Sequence, residues 1–170
     1  SAFGYSNMAS GVRSSAFGYS NTASGDHSSA FGYETTASGT GATAFGGWAD
    51  LDADGLLGPG ETATASGTSA VALGAATRAA GAQSLAVGVN SSADGDESTA
   101  LGVRSIASHL QSTAVGYRNQ STGSQGSNAV GFFNSATRNF SSAFGAGNFA
   151  TGDSSSAFGQ GNVASGDRSS

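Results

Sequence analysis

The residues with the most recognisable chemistry lie in one short stretch, Asp50-Leu51-Asp52-Ala53-Asp54-Gly55, which is followed after five further residues by Glu61. This order matches the D-x-D-x-D-G calcium-loop pattern, with Glu at the expected distance. Ca²⁺ takes about six to eight oxygen ligands, which alternate carboxylates, a backbone carbonyl and a bidentate Glu can supply. The predicted calcium ligands are Asp50, Asp52, Asp54, the carbonyl of Leu56, and Glu61. No helical segments flank the loop, and the alternative interpretation is an acidic surface turn.

The remaining reactive side chains do not form a catalytic set. His27 and His109 fall in turns far apart in the sequence, Ser is too common to single out a nucleophile, and there is no Lys or Cys. An enzyme needs a clustered acid, base or nucleophile, so the sequence does not favour an enzyme. The net charge of −5 and charged content of 10% lack the clustered cations that nucleic acids and anionic membranes attract.

A repeat of about fourteen residues organises the whole chain. The triplet Ala-Phe-Gly or a variant begins at Ala2, Ala16, Ala30, Ala44, Ala72, Ala86, Ala100, Ala114, Ala129, Ala143 and Ala157. Seven residues after most of these triplets comes a second one made of small residues, such as Ala23-Ser24-Gly25. Each repeat therefore predicts two short strands and two turns.

The frequent Gly residues exclude helices, because each interior Gly costs about 1 kcal/mol relative to Ala. Short strands joined by Gly and Asn turns fit the pattern instead. We therefore predict an all-β parallel solenoid of about 14-residue coils, one domain over residues 1–170, with an inserted loop at 47–62 where the repeat takes a double step. The chain begins inside a repeat, which we interpret as a segment of a longer protein.

The alternation of side chains along a strand separates an Ala row from a row of large apolar residues. Two strands in so short a coil lie close together, so the interior should accept Ala and Ser, and the large row should lie outside. A continuous apolar stripe predicts burial between chains, hence a homo-oligomer. The predicted interface residues are Phe3, Phe17, Phe31, Phe45, Leu73, Val87, Leu101, Val115, Val130, Phe144 and Phe158. The inverse arrangement, with the large row inside and Ala at the interface, would also bury both rows.

The unit Ser-Ala-Phe-Gly-x-x-Asn-x-Ala-Ser-Gly-x-x-Ser resembles the head repeat of YadA-type trimeric autotransporter adhesins of Gram-negative bacteria. The resemblance implies a left-handed parallel β-roll, a homotrimer, and attachment to host cells or matrix. It also implies a place on the bacterial surface, attached to the outer membrane through regions outside this chain, and no direct membrane contact by the chain itself. The sequence departs from the unit at His109, Ser121 and Arg138, and by one extra residue between Gly123 and Ala129, where we expect a bulge.

Two alternative functions for such a solenoid are a spacer and an ice-binding protein. A non-adhesive spacer would share the repeat without binding a host molecule. An ice-binding solenoid would need a regular Thr ladder on one face, whereas the outward row of the second strand is mixed, from Met8 to Val163.

Overall fold

The computed structural model describes residues 1–170 as strands and turns. No helix in it is of the length and apolarity that crossing a membrane requires. The first eleven strands are β1 (Ala2–Tyr5), β2 (Met8–Ala9), β3 (Ser15–Tyr19), β4 (Thr22–Ala23), β5 (Ser29–Tyr33), β6 (Thr36–Ala37), β7 (Thr43–Gly46), β8 (Thr64–Ala65), β9 (Val71–Leu73), β10 (Arg78–Ala79) and β11 (Leu85–Val89). The others are β12 (Ser92–Ala93), β13 (Thr99–Val103), β14 (Ile106–Ala107), β15 (Thr113–Tyr117), β16 (Gln120–Ser121), β17 (Asn128–Phe132), β18 (Ser135–Ala136), β19 (Ser142–Ala146), β20 (Phe149–Ala150), β21 (Ser156–Gln160) and β22 (Val163–Ala164).

The strands alternate between two sheets of eleven parallel strands each. Odd-numbered strands form the first sheet and even-numbered strands form the second. Each strand pairs with the equivalent strand of the next coil, so that Leu101 of β13 lies beside Val115 of β15. Neighbouring strands are about 4.8 Å apart, which makes the stack a rod roughly 50 Å long. The predicted all-β parallel solenoid with coils of about fourteen residues is confirmed.

The core is a column of small side chains between the two sheets. Ala86, Ala100 and Ala114 of the first sheet and Ala93 and Ala107 of the second have no exposed surface. Large apolar side chains lie outside the roll. The predicted Ala interior is therefore confirmed, and the inverse arrangement is excluded.

Ser121 interrupts this column and divides the Ala residues into two clusters. Its hydroxyl is fully buried and donates to the carbonyl oxygen of Ser127 at 2.7 Å. The extra residue lies in the turn between β16 and β17 next to this Ser, while Thr113 still pairs with Asn128 fifteen residues later. The register of the strands is therefore preserved, because the turn takes up the additional residue.

Asn side chains connect successive coils in the turn that follows each strand of the first sheet. Asn134 Nδ2 donates to the carbonyl oxygens of Val130 (2.9 Å) and Gly145 (2.7 Å), and Asn134 Oδ1 accepts from the backbone N–H of Asn148 (3.0 Å). The nearby Gly column has no room for a side chain: a Cβ on Gly131, where φ is 121°, would lie 2.1 Å from the carbonyl oxygen of Gly145. These two columns hold the coils at close spacing.

The insertion leaves the stack between β7 and β8 and returns to it. Phe45 of β7 pairs with Leu73 of β9, and Thr36 of β6 pairs with Thr64 of β8. Residues 47–63 form no strand. The acidic loop is therefore displayed on the side of a continuous rod.

Candidate functional site

The predicted interface residues all lie in the first sheet, with their side chains outside the Ala core. Exposure is greatest at Phe3 (74%), Phe45 (58%) and Phe158 (61%), while the remaining members are half-buried against the coils above and below. The rings of Phe17 and Phe31 are stacked with centroids 5.1 Å apart. The row is continuous, because every coil contributes one large apolar side chain at the same register.

A second apolar column runs beside this row on the same face. It begins with Tyr5, Tyr19 and Tyr33, whose rings stack at 5.0 Å, and the period of two along a strand could have assigned it to this face. Its other large members are Val89, Val103, Tyr117 and Phe132. Most are more exposed than the first-row residue on the same strand. Tyr33 is 41% exposed and Phe132 is 53% exposed, whereas Phe31 and Val130 are half-buried.

The two columns together define what we call the outer face of the first sheet. It runs from β1 to β21 and carries aromatic or branched side chains in nearly every coil. Soluble monomers rarely expose a contiguous apolar patch of more than a few hundred Å². A face of this extent is therefore suited to burial against other chains.

The three predicted Asp ligands converge in the inserted loop. Carboxylate oxygens of Asp50, Asp52 and Asp54 lie within 4.8 Å of one another, and all three side chains are exposed. The backbone N–H of Gly55 donates to Asp50 Oδ2 at 3.0 Å, and that of Leu56 donates to Asp54 Oδ1 at 2.8 Å. The loop is thus folded around its own carboxylates, with oxygen atoms of the kind that Ca²⁺ prefers.

Glu61, the fourth predicted carboxylate ligand, lies apart from this group of Asp residues. It is buried, and its two carboxylate oxygens accept from the backbone N–H groups of Leu51 (2.7 Å) and Gly58 (2.6 Å). Trp48 Nε1 also donates to Glu61 at 3.2 Å. The hydrogen bonds from Gly58 and Leu51 are the main reason that the pKa of Glu61 is lowered. In this structure Glu61 closes the base of the loop.

The two His residues are not brought together. His27 lies in the turn between β4 and β5, and His109 lies in the turn between β14 and β15, five coils further along. Both are exposed, and neither is part of a cluster of acidic or metal-binding side chains. The structure assembles no acid–base or nucleophilic constellation from them.

The fold and the outer face define the class of protein: a stacked parallel β-solenoid with an Ala core and one apolar sheet face. The family model described as "YadA head domain repeat (2 copies)" matches residues 1–21, 9–35, 23–49, 60–77, 65–91, 79–105, 93–119 and 150–170. These matches cover more than half of the chain, which therefore belongs to the YadA head family. No curated protein matches the chain. The family and the fold are those of an adhesin-type structural module.

The repeat matches leave residues 50–59 and 120–149 uncovered. The first of these segments contains the three clustered Asp residues, and the second contains the extra residue and the aromatic pair Phe132 and Phe133. These features therefore lie outside the segments that match the family model.

Proposed function

We propose that this chain is the head segment of a trimeric surface adhesin, in which three copies pack together through the outer face of the first sheet. The observation that carries the proposal is the continuous apolar face, which no other part of the chain covers. Burial of that face removes a large apolar area from water at about 25 cal/mol for each Å².

Copies of the same chain are the partners that fit this face best. Its rows repeat at the same register in every coil, so parallel copies can align coil by coil along the whole rod. Each chain offers one such face, and a closed ring of identical chains buries it on every member. Trimers are typical of YadA-type heads, which favours three copies over two.

The second sheet and the turns remain for contact with a host. The outward row of the second sheet is mixed and mostly polar, for example Thr22, Ser92 and Gln120. We assign attachment to host cells or extracellular matrix to these surfaces, and we place the protein on the outside of a Gram-negative bacterium, held in the outer membrane by regions outside this chain.

Light scattering on the purified chain tests the assembly. The expected mass is three times the chain mass of 16.4 kDa, and a folded monomer would contradict the proposal. Attachment is tested separately by binding of the purified chain to host cells and matrix proteins. A stable trimer that binds none of them would favour the spacer function instead.

Calcium binding by the inserted loop is a second proposal, supported by the convergence of Asp50, Asp52 and Asp54. Weak binding is expected, with a dissociation constant on the order of 0.1–1 mM as in extracellular calcium modules. Isothermal titration should detect binding to the intact chain and its loss in Asp52→Asn. The matched control is Asp96→Asn, which removes a charge from an acidic turn of another coil. An intact chain that binds no calcium would contradict this proposal.

A further inference from the structure

A groove of about 550 Å³ runs along the edge of the roll where strands of the first sheet turn into strands of the second. Arg104 and Arg118 line it together with Asn90, Gln120 and Phe133. The groove is separate from the acidic loop, and its lining comes from the turns and the second sheet.

The two Arg residues occupy equivalent positions in successive coils. Val103 and Tyr117, which precede them, are paired in register, and the backbone N–H of Arg118 donates to the carbonyl oxygen of Val103 at 2.9 Å. Equivalent residues of adjacent parallel strands are about 4.8 Å apart. The two Arg side chains therefore leave the roll from neighbouring turn positions, and both line the groove.

No carboxylate neutralises this pair. The chain's one ion pair joins Arg78 and Asp94, with 2.6 Å between Nη1 and Oδ1. Arg104 and Arg118 are two of only six cationic side chains in a protein with a net charge of −5. An uncompensated cation pair at a groove is an anion-binding feature, because a single anion would relieve the repulsion between the two charges.

The backbone at this turn favours a different residue type. Arg104, Arg118 and Phe133 have φ values of 55°, 53° and 55°, and the next two coils carry Gly147 and Gly161 at the same position. Gly adopts positive φ without steric cost, whereas long and aromatic side chains rarely do so. The same conformation recurs at this turn in other coils, for example at Ser6 (51°), Ser20 (53°) and Asn90 (52°), so it is a property of the turn, and Gly can replace Phe133 there without strain.

Aromatic rings hold one of the guanidinium groups in place. The Arg118 Cζ atom lies 5.4 Å from the centroid of the Tyr117 ring and 5.3 Å from that of Phe133. Such cation–π contacts orient the planar group. Phe133 is still 40% exposed, so part of its ring surface is free to contact a ligand.

We propose that this groove binds an anionic sugar, a glycan bearing a sulfate or carboxylate group. Arg104 and Arg118 would bind the anion through charge-assisted hydrogen bonds, Asn90 and Gln120 would bind sugar hydroxyls, and Phe133 would contact the apolar C–H face of the ring. The inference rests on the proposed attachment function, to which it adds the chemical class of the host ligand. A nucleic acid or an anionic membrane would need a far more extended basic surface than two Arg residues.

The test measures binding of the purified whole chain to three oligosaccharide probes: a heparin-derived sulfated one, a sialylated one that carries carboxylate, and a neutral desulfated one. Binding of either anionic probe but not of the neutral probe is expected, and the anionic probe that binds identifies the charged group. Arg104→Gln and Arg118→Gln should each weaken binding by about tenfold, the effect of losing a hydrogen bond to a charged group.

The matched control is the double variant Arg13→Gln/Arg168→Gln, compared with Arg104→Gln/Arg118→Gln. Arg13 and Arg168 are also exposed turn residues with positive φ (56° and 57°), so both double variants lose the same charge from the same backbone conformation. Only the Arg104/Arg118 variant should lose binding. Equal losses in the two double variants would overturn the assignment.

Phe133→Gly tests the aromatic contribution without straining the turn, because Gly suits the φ of this position. Binding should weaken while circular dichroism shows that the chain remains folded. Failure of both anionic probes to bind, or equally tight binding of duplex DNA or phosphatidylserine vesicles, would overturn the proposal. The mass of each sample is measured in parallel: a trimer that binds no anionic sugar contradicts this inference alone, and a monomer that binds one contradicts the trimer alone.

Discussion

Replacement of Phe45 by Ser gives the sharpest test of assembly through the outer face of the first sheet. Phe45 is 58% exposed in the isolated chain. A Phe side chain buries about 200 Å² when fully covered, so roughly 115 Å² is available to a neighbouring chain. At about 25 cal/mol for each Å², the loss is about 3 kcal/mol per chain and about 9 kcal/mol per trimer. The dissociation constant of a trimer has units of concentration squared, so the chain concentration at the midpoint of dissociation follows the square root of that constant. A loss of about 9 kcal/mol should therefore raise this midpoint concentration by about a thousandfold.

Sedimentation over a dilution series measures this midpoint. The matched control is Phe149→Ser, since Phe149 is 46% exposed on the outward side of the second sheet and should not contribute to assembly. Both variants leave the Ala core intact, and circular dichroism checks that they remain folded. An unchanged midpoint in Phe45→Ser, or an equal shift in Phe149→Ser, would refute burial of the first sheet between chains.

Three further predictions concern the fold and the loop. Asn134→Ala should lower the free energy of unfolding by about 3 kcal/mol, because it leaves a buried N–H and two carbonyls without this partner. Ser occupies this position in other coils, so Asn134→Ser should lower the free energy of unfolding by less. Chemical denaturation measures both variants. Gly102→Ala should lower the melting temperature sharply, since its Cβ would lie 1.9 Å from the carbonyl oxygen of Gly116 at a φ of 117°; an unchanged melting temperature would contradict the close stacking. Because the pKa of Glu61 is lowered from 4.5, its stabilising effect is present above about pH 4.5 and is lost as pH falls through the lowered pKa. Trp48 is the only Trp, and its fluorescence should change over this pH range. The same change should be absent in Glu61→Gln.

Much of the architecture follows from spacing alone. In a solenoid, residues fourteen apart become neighbours in space, so a one-dimensional period predicts the ladder that pairs Phe17 with Phe31. The place of the insertion also follows, because the distance from Phe45 to the next small-residue triplet exceeds the repeat. These features depend on the order of residues along the chain and need no knowledge of side-chain orientation.

Other features depend on competition between contacts. The sequence pattern assigns Glu61 to a metal, whereas in the folded loop the N–H groups of Leu51 and Gly58 lie close enough to bind its carboxylate. The repeat also could not exclude an inverted roll, since both rows are apolar. The tertiary structure decides this because two sheets so close together leave space for Ala100 but not for Leu101.

The sequence by itself determined the repeat, the parallel stack of coils and the candidate loop, because each of these is a property of spacing. Only the tertiary structure decided which row faces outward, where Glu61 directs its carboxylate, and that Arg104 and Arg118 share a groove with Phe133. The physical reason is that these outcomes depend on the thickness of the roll and on contacts across its turns, which appear only when the coils are stacked.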